Sequence, residues 1–197
     1  MGEDLSREVK LAISYVEDAK RKTEALEQES NPLIAQDEAE KILSGELYKA
    51  RVALQTAEAQ GEDVSFVHVE VLDTEGKVMW VVGRAMVELY PKKSKQWAKK
   101  LVEKRRELVE MWPTPATHYN YGLALYLADR DTEAVEALRL AENSDDDETS
   151  IDATKLISRI QENPSSRGLS CCIPGCLLVV VLALGMALLG VIIAGGV

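Results

Sequence analysis

The sequence predicts an all-α protein followed by one apolar segment of membrane-spanning length. Three observations carry this. Ala, Leu, Glu and Lys are abundant while Phe occurs once, a composition that favours helices over packed sheets. Apolar residues recur at helical spacing through most of the chain. Across residues 177–197 no side chain is charged or strongly polar. At about 1.5 Å of helical rise per residue, that stretch spans roughly 30 Å, the thickness of a bilayer's hydrocarbon core.

The helices follow in order. Leu5, Val9, Ala12, Ile13, Val16, Ala19, Thr23 and Leu26 form one stripe, predicting an amphipathic helix over residues 3–29. "ESNP" stops it, because Pro32 holds Asn31 out of helical geometry. A second helix is predicted over 36–60, with Ala39, Ile42, Leu43, Leu47, Ala50, Leu54 and Ala57 inward and Gly61 closing it. Residues 64–82, "VSFVHVEVLDTEGKVMWVV", fit two patterns. Alternating Val67, Val69 and Val71 before "DTEG" read as a β-hairpin. Val64, Val67, His68, Val71 and Leu72, then Val78, Val81, Val82, Ala85, Met86 and Leu89, read as two helices joined at "DTEG". The helical reading is favoured because its second half continues to Tyr90. Pro91 interrupts, and a further helix is predicted over 94–112 before "PTP" ends it.

The segment "PATHYNYGLALYLADRDTEAVEALRLA", residues 115–141, resembles the tetratricopeptide repeat, a pair of antiparallel helices in about 34 residues. Gly122 stands where the family has its first-helix glycine, with the large Tyr121 before it. Ala134, Leu138 and Ala141 match the small, large and small positions of the second helix. "ADRD" makes the turn, and Thr132 is predicted to cap the second helix. His118 replaces the family's usual Trp, and Leu125 its usual Tyr. The preceding segments, "GKVMWVVGRAMVELY" and "SKQWAKKLVEKRREL", read as a degenerate repeat with Gly83 and Ala98 in the small positions. Their turn is longer than the family's by about three residues. Residues 149–162, with Ile151, Leu156, Ile157 and Ile160 inward, read as a solvating helix that closes the array. The expected organisation is a helical domain over 1–163 with its clearest repeat at 115–148. A linker with juxtamembrane cysteines follows over 164–175, then a membrane span over 176–197.

The resemblance implies a groove that takes a protein or peptide, lined in the clear repeat by Ala116, Tyr119, Leu123, Tyr126 and Leu127. Alternatively, the N-terminal helix fills part of it. The family members that clamp a C-terminal carboxylate have Asn where this chain has Leu123, so that variant is not expected. No nucleophile–base pairing, glycine-rich phosphate loop or metal-ligand spacing is present, so neither catalytic residues nor cofactor nor metal is expected. His68 and His118 read as core residues. "SDDDE" at 144–148 has neither the spacing nor the glycine of a calcium loop. A net charge of −10 argues against wholesale nucleic-acid binding. Within that acidic background, residues 92–106 hold eight basic residues. Lys92, Lys93, Lys99, Lys100, Lys104, Arg105 and Arg106 read as a surface for anionic lipid or an acidic partner, or else as a solvated helix face.

Every Lys and Arg precedes the apolar segment. The positive-inside rule therefore predicts a single-pass tail anchor with the helical domain in the cytoplasm. Ala183, Ala187, Gly190 and Ala194 share one face of that span, where a second copy of the helix could approach to form a homodimer. Cys171, Cys172 and Cys176 sit at its edge, as S-acylation acceptors or as small apolar residues. The predicted function is a non-enzymatic, membrane-anchored adaptor. The competing expectation is an oligomerising or membrane-shaping protein acting through the basic helix and the small-residue face.

Overall fold

The computed structural model describes residues 5–143 and 147–162, and among these every regular element is helical. The predicted span, its small-residue face and the three cysteines lie outside the described residues. So does most of the "SDDDE" stretch. Among the described residues no helix is long and apolar enough to cross a membrane.

Helix α1 (Arg7–Glu27) starts where Ser6 accepts a hydrogen bond from the Val9 amide at 3.2 Å. Leu5 therefore falls outside the helix and is exposed, while Val9, Ala12, Val16, Ala19, Thr23 and Leu26 are buried. The predicted break is at Asn31, whose backbone is extended at φ −94° and ψ 110°. Its side chain caps the Leu33 amide, however, so α2 (Pro32–Ile42) begins at the proline itself, four residues earlier than predicted. A π-helical turn at Leu43–Leu47 joins α2 directly to α3 (Tyr48–Ala59). Gly61 follows at φ +85°, in the left-handed region that suits glycine.

Helix α4 (Ser65–Ala85) is continuous, which corrects the predicted joint at "DTEG" and removes the hairpin alternative. The physical reason lies in the neighbours. Thr74, Glu75 and Gly76 are buried. Thr74 donates its hydroxyl to the Glu70 carbonyl at 2.8 Å, and Glu75 is ion-paired to Arg51 of α3. A Cβ on Gly76 would lie 2.6 Å from Arg105 Nε, so glycine here admits a guanidinium and does not mark a turn.

Helix α5 (Pro91–Met111) also starts at its proline. It packs on α4 with contacts in reverse order, Ser94 donating to the Gly83 carbonyl at 2.8 Å and Arg105 pairing with Asp73. Helix α6 (Pro115–Leu127) begins in a reciprocal cap between Thr114 and Thr117. Asp129, at φ 59°, turns the chain, and the Arg130 amide donates to the Leu125 carbonyl at 2.9 Å. Helix α7 (Asp131–Glu142) has no side-chain cap. Thr132 lies inside its first turn, so its predicted capping role is corrected. Helix α8 (Asp147–Glu162) buries Leu156, Ile157 and Ile160, but Ile151 is exposed, contrary to expectation.

Two further relations position the surface described next. Helix α1 runs parallel to α4, with Lys20 bridged to Glu70 at 2.5 Å and Glu27 to Lys77 at 3.3 Å. Leu127 of α6 lies against Gly83 of α4, where an added Cβ would stand 3.1 Å from Leu127 Cδ2. The core is continuous across the bundle and is filled by residues such as Leu47, Val71, Val82, Leu101, Leu125 and Leu138.

Candidate functional site

The predicted groove residues of α6 do not all face one open surface. Ala116 is exposed, whereas Tyr119, Leu123, Tyr126 and Leu127 are half-buried and rest against the core. Tyr119 is turned toward α8. Burial raises its phenol pKa, and the nearby Asp152 of α8 raises it further. Leu127 points at Gly83. Helix α1 packs on α2, α3 and α4, so it lies on the α4 side of this face. It is α8 that covers part of the α6 face.

Leu123 opens onto a cleft of about 240 Å³ between α4, α5 and α6, lined by Asp73, Lys77, Trp80, Leu101, Arg105, Asn120 and Leu123. Its floor is built from the ion pair of Arg105 and Asp73, and Arg105 is only 6% exposed. A second cleft, of about 500 Å³, lies on the other side of α4 between that helix and residues 26–30, and Trp80 lines it too, with Val81 and Arg84. Trp80 is thus a ridge shared by both clefts, half-buried against the core and offering an indole to each side. Lys77 and Arg84, both exposed, flank it one turn away in each direction.

Sequence reasoning does not single out these α4 residues, although a signal for them exists. Gly83 reads as the counterpart of Gly122. Carrying that register across puts Lys77, Trp80 and Arg84 where Ala116, Tyr119 and Leu123 stand in α6. The two clefts that share Trp80 thus lie beside α4 rather than on the face of α6 that the sequence singles out.

The basic run of α5 divides between interior and surface. Arg105 is buried over Gly76, which corrects its assignment to the basic surface: position 105 faces α4, where the missing side chain of Gly76 leaves room for its guanidinium. Lys104 is mostly covered, bridged to Glu107 at 2.7 Å and 4.0 Å from Glu75. Lys92, Lys99, Lys100 and Arg106 are exposed and Lys93 is half-buried. Lys93 bonds Gln36 at 3.1 Å, Lys100 lies 4.9 Å over the Trp97 ring, and Arg106 reaches Glu110 at 3.9 Å. Lys95, Lys99, Arg106 and Arg130 line a recess beside the α6–α7 turn together with Glu103 and Asp129.

Glu75 of α4 is a buried acid. Burial pushes its carboxyl pKa up, while the Arg51 guanidinium and the more distant Lys104 oppose the shift. Glu75 is enclosed among α3, α4 and α5 and opens onto neither cleft, so its role is structural. His118 is half-buried, and burial lowers its pKa. Among the described residues no group of three or more His, Cys, Asp or Glu is placed to hold a metal ion.

No family model matches this chain, and no curated protein or solved structure matches it.

Proposed function

We propose that this protein is a non-enzymatic, membrane-anchored adaptor whose helical domain binds a peptide or partner helix across the face formed by α1, α4 and α6. The observation that carries the reading is Trp80, exposed to a cleft on each side with Asn120 and Leu123 across one of them. A half-buried indole between clefts lined largely by charged and polar side chains offers a peptide one apolar anchor and several groups that fix its orientation. The resemblance of residues 115–141 to a tetratricopeptide repeat supports the same reading. So do the opposed order of the α4–α5 contacts and the closeness of Gly122 to Leu138 and Ala134. Helices α4 and α5 are each 21 residues long, longer than half of a 34-residue repeat, so this pair is a drifted version of the motif.

The membrane half of the proposal rests on sequence, on the uncharged stretch 177–197 and the basic residues that precede it. Two experiments separate the halves. Retention of the full chain in membranes at alkaline pH tests the anchor, and release on deleting residues 177–197 is expected. Selection of binding peptides from a displayed library tests the groove. The reading expects a convergent motif with apolar side chains at helical spacing, and an empty selection counts against it.

A further inference from the structure

The chain leaves the described bundle at a definite end. Helix α8 starts beside the end of α7, where Ser150 donates to the Glu142 carbonyl at 2.8 Å and Thr154 reaches the Glu142 carboxylate at 3.0 Å. It then packs back along α7. From Ser150 to Glu162 is a rise of about 18 Å, nearly the distance from Glu142 back to Asp131, so Glu162 lies level with the α6–α7 turn. That turn is fixed to the start of α5 by the Lys95–Asp129 bridge at 2.6 Å, and the start of α5 is fixed to α2 by the Lys93–Gln36 bond. Glu162, the last described residue, therefore lies at the end of the bundle that carries the first half of α5, and 14 residues separate it in sequence from the apolar stretch 177–197.

That end combines two features that rarely coincide on a solvated surface. Leu89 is 67% exposed, Ile34 48%, Val87 45% and Leu33 43%. Leu33 and Ile34 lie within a turn of Gln36, and Val87 and Leu89 lie just before Lys93. Around them the segment 84–100 holds six basic residues, with Glu88 its single carboxylate. Asp37 and Glu38, the nearest acids on α2, are already bridged to Lys41 at 3.0 and 2.7 Å. Exposed aliphatic side chains with Lys92 and Lys93 on one side of them suit the boundary of an anionic bilayer, where the apolar tips enter and the cations stay with the headgroups.

We propose that this end of the bundle docks onto the anionic phospholipid surface of the membrane that holds the chain, through Leu33, Ile34, Val87 and Leu89 with Lys92 and Lys93 beside them. The inference rests on the anchor reading and adds an orientation: α4 and α6 stand upright, and the clefts beside Trp80 open parallel to the membrane.

The test uses the full chain reconstituted in vesicles of phosphatidylcholine alone, or of phosphatidylcholine with about one-third phosphatidylserine, read by amide hydrogen exchange. Exchange in 31–36 and 84–93 should slow at least threefold with the anionic lipid and recover in high salt. Exchange at 107–112, at the opposite end, should not change. Charge reversal at Lys92, Lys93 and Lys99 should lower the docked population by about tenfold or more, and L89S should weaken docking without altering helicity. Equal exchange in both vesicles, with the chain still resistant to alkaline extraction, overturns the docking and leaves the patch to an acidic protein. Loss of the chain to alkaline extraction overturns the anchor and the docking together.

Discussion

Gly122 lies so close under Leu138 that a Cβ on it would stand 2.6 Å from Leu138 Cγ and 3.3 Å from the Ala134 carbonyl oxygen. Leu138 is fully buried, so it has nowhere to retreat. Overpacking of this kind costs about 1–3 kcal/mol, against the roughly 1 kcal/mol that Ala gains over Gly inside a helix. G122A is therefore expected to destabilise the fold by up to about 2 kcal/mol in urea unfolding. G45A, with nothing within 4 Å of its new methyl, is expected to stabilise it by up to about 1 kcal/mol. Equal effects of the two would contradict the proposed close approach of α6 and α7.

Glu75 supplies a pH signature. Burial raises its folded pKa above the ordinary 4.5, with Arg51 opposing. The folded state then holds this proton more tightly than the unfolded chain. Its contribution is fully present below pH 4.5 and is lost as pH rises through the raised folded value. E75Q has no such titration, so its stability relative to the natural protein should improve as pH climbs from 4 toward 7. Parallel pH profiles for the two proteins in chemical unfolding would show that Arg51 compensates the burial completely.

Arg105 and Lys99 are both basic residues of α5, yet they should behave differently on charge reversal. R105E places a carboxylate beside Asp73 in a site that is 6% exposed, and the domain is expected to unfold or lose several kcal/mol. K99E, at an exposed position, is expected to change stability by less than about 0.5 kcal/mol. Thermal melts followed by circular dichroism distinguish the two outcomes.

Periodicity made most of the helices legible, because the stripe in α1 and the matching faces of α5 and α8 bury apolar side chains every third or fourth residue. It failed where a polar residue is buried for a tertiary reason. "DTEG" reads as a turn, but Glu75 and Gly76 answer to Arg51 and Arg105, which are 24 and 29 residues away along the chain. Proline reads as a stop at Pro32 and Pro91, yet each also opens the next helix, where its missing amide costs nothing. The repeat-like pattern is clearest on α6, but the indole that two clefts share sits on α4, where the sequence matches that pattern poorly.

Trp80 is where the binding account is most exposed to test. Peptides selected on the natural domain should lose affinity by at least about tenfold with W80A, since a buried aromatic anchor contributes 2 kcal/mol or more. N120R, which places a bulky charge in the same cleft, should have a similar effect without removing the indole. K99E and K100E, away from the groove, should leave affinity unchanged. Titration calorimetry on variants confirmed as folded measures all four. Loss with W80A and N120R alone is the predicted result. Affinity unaltered by both would contradict a groove centred on Trp80 and, with it, the adaptor function.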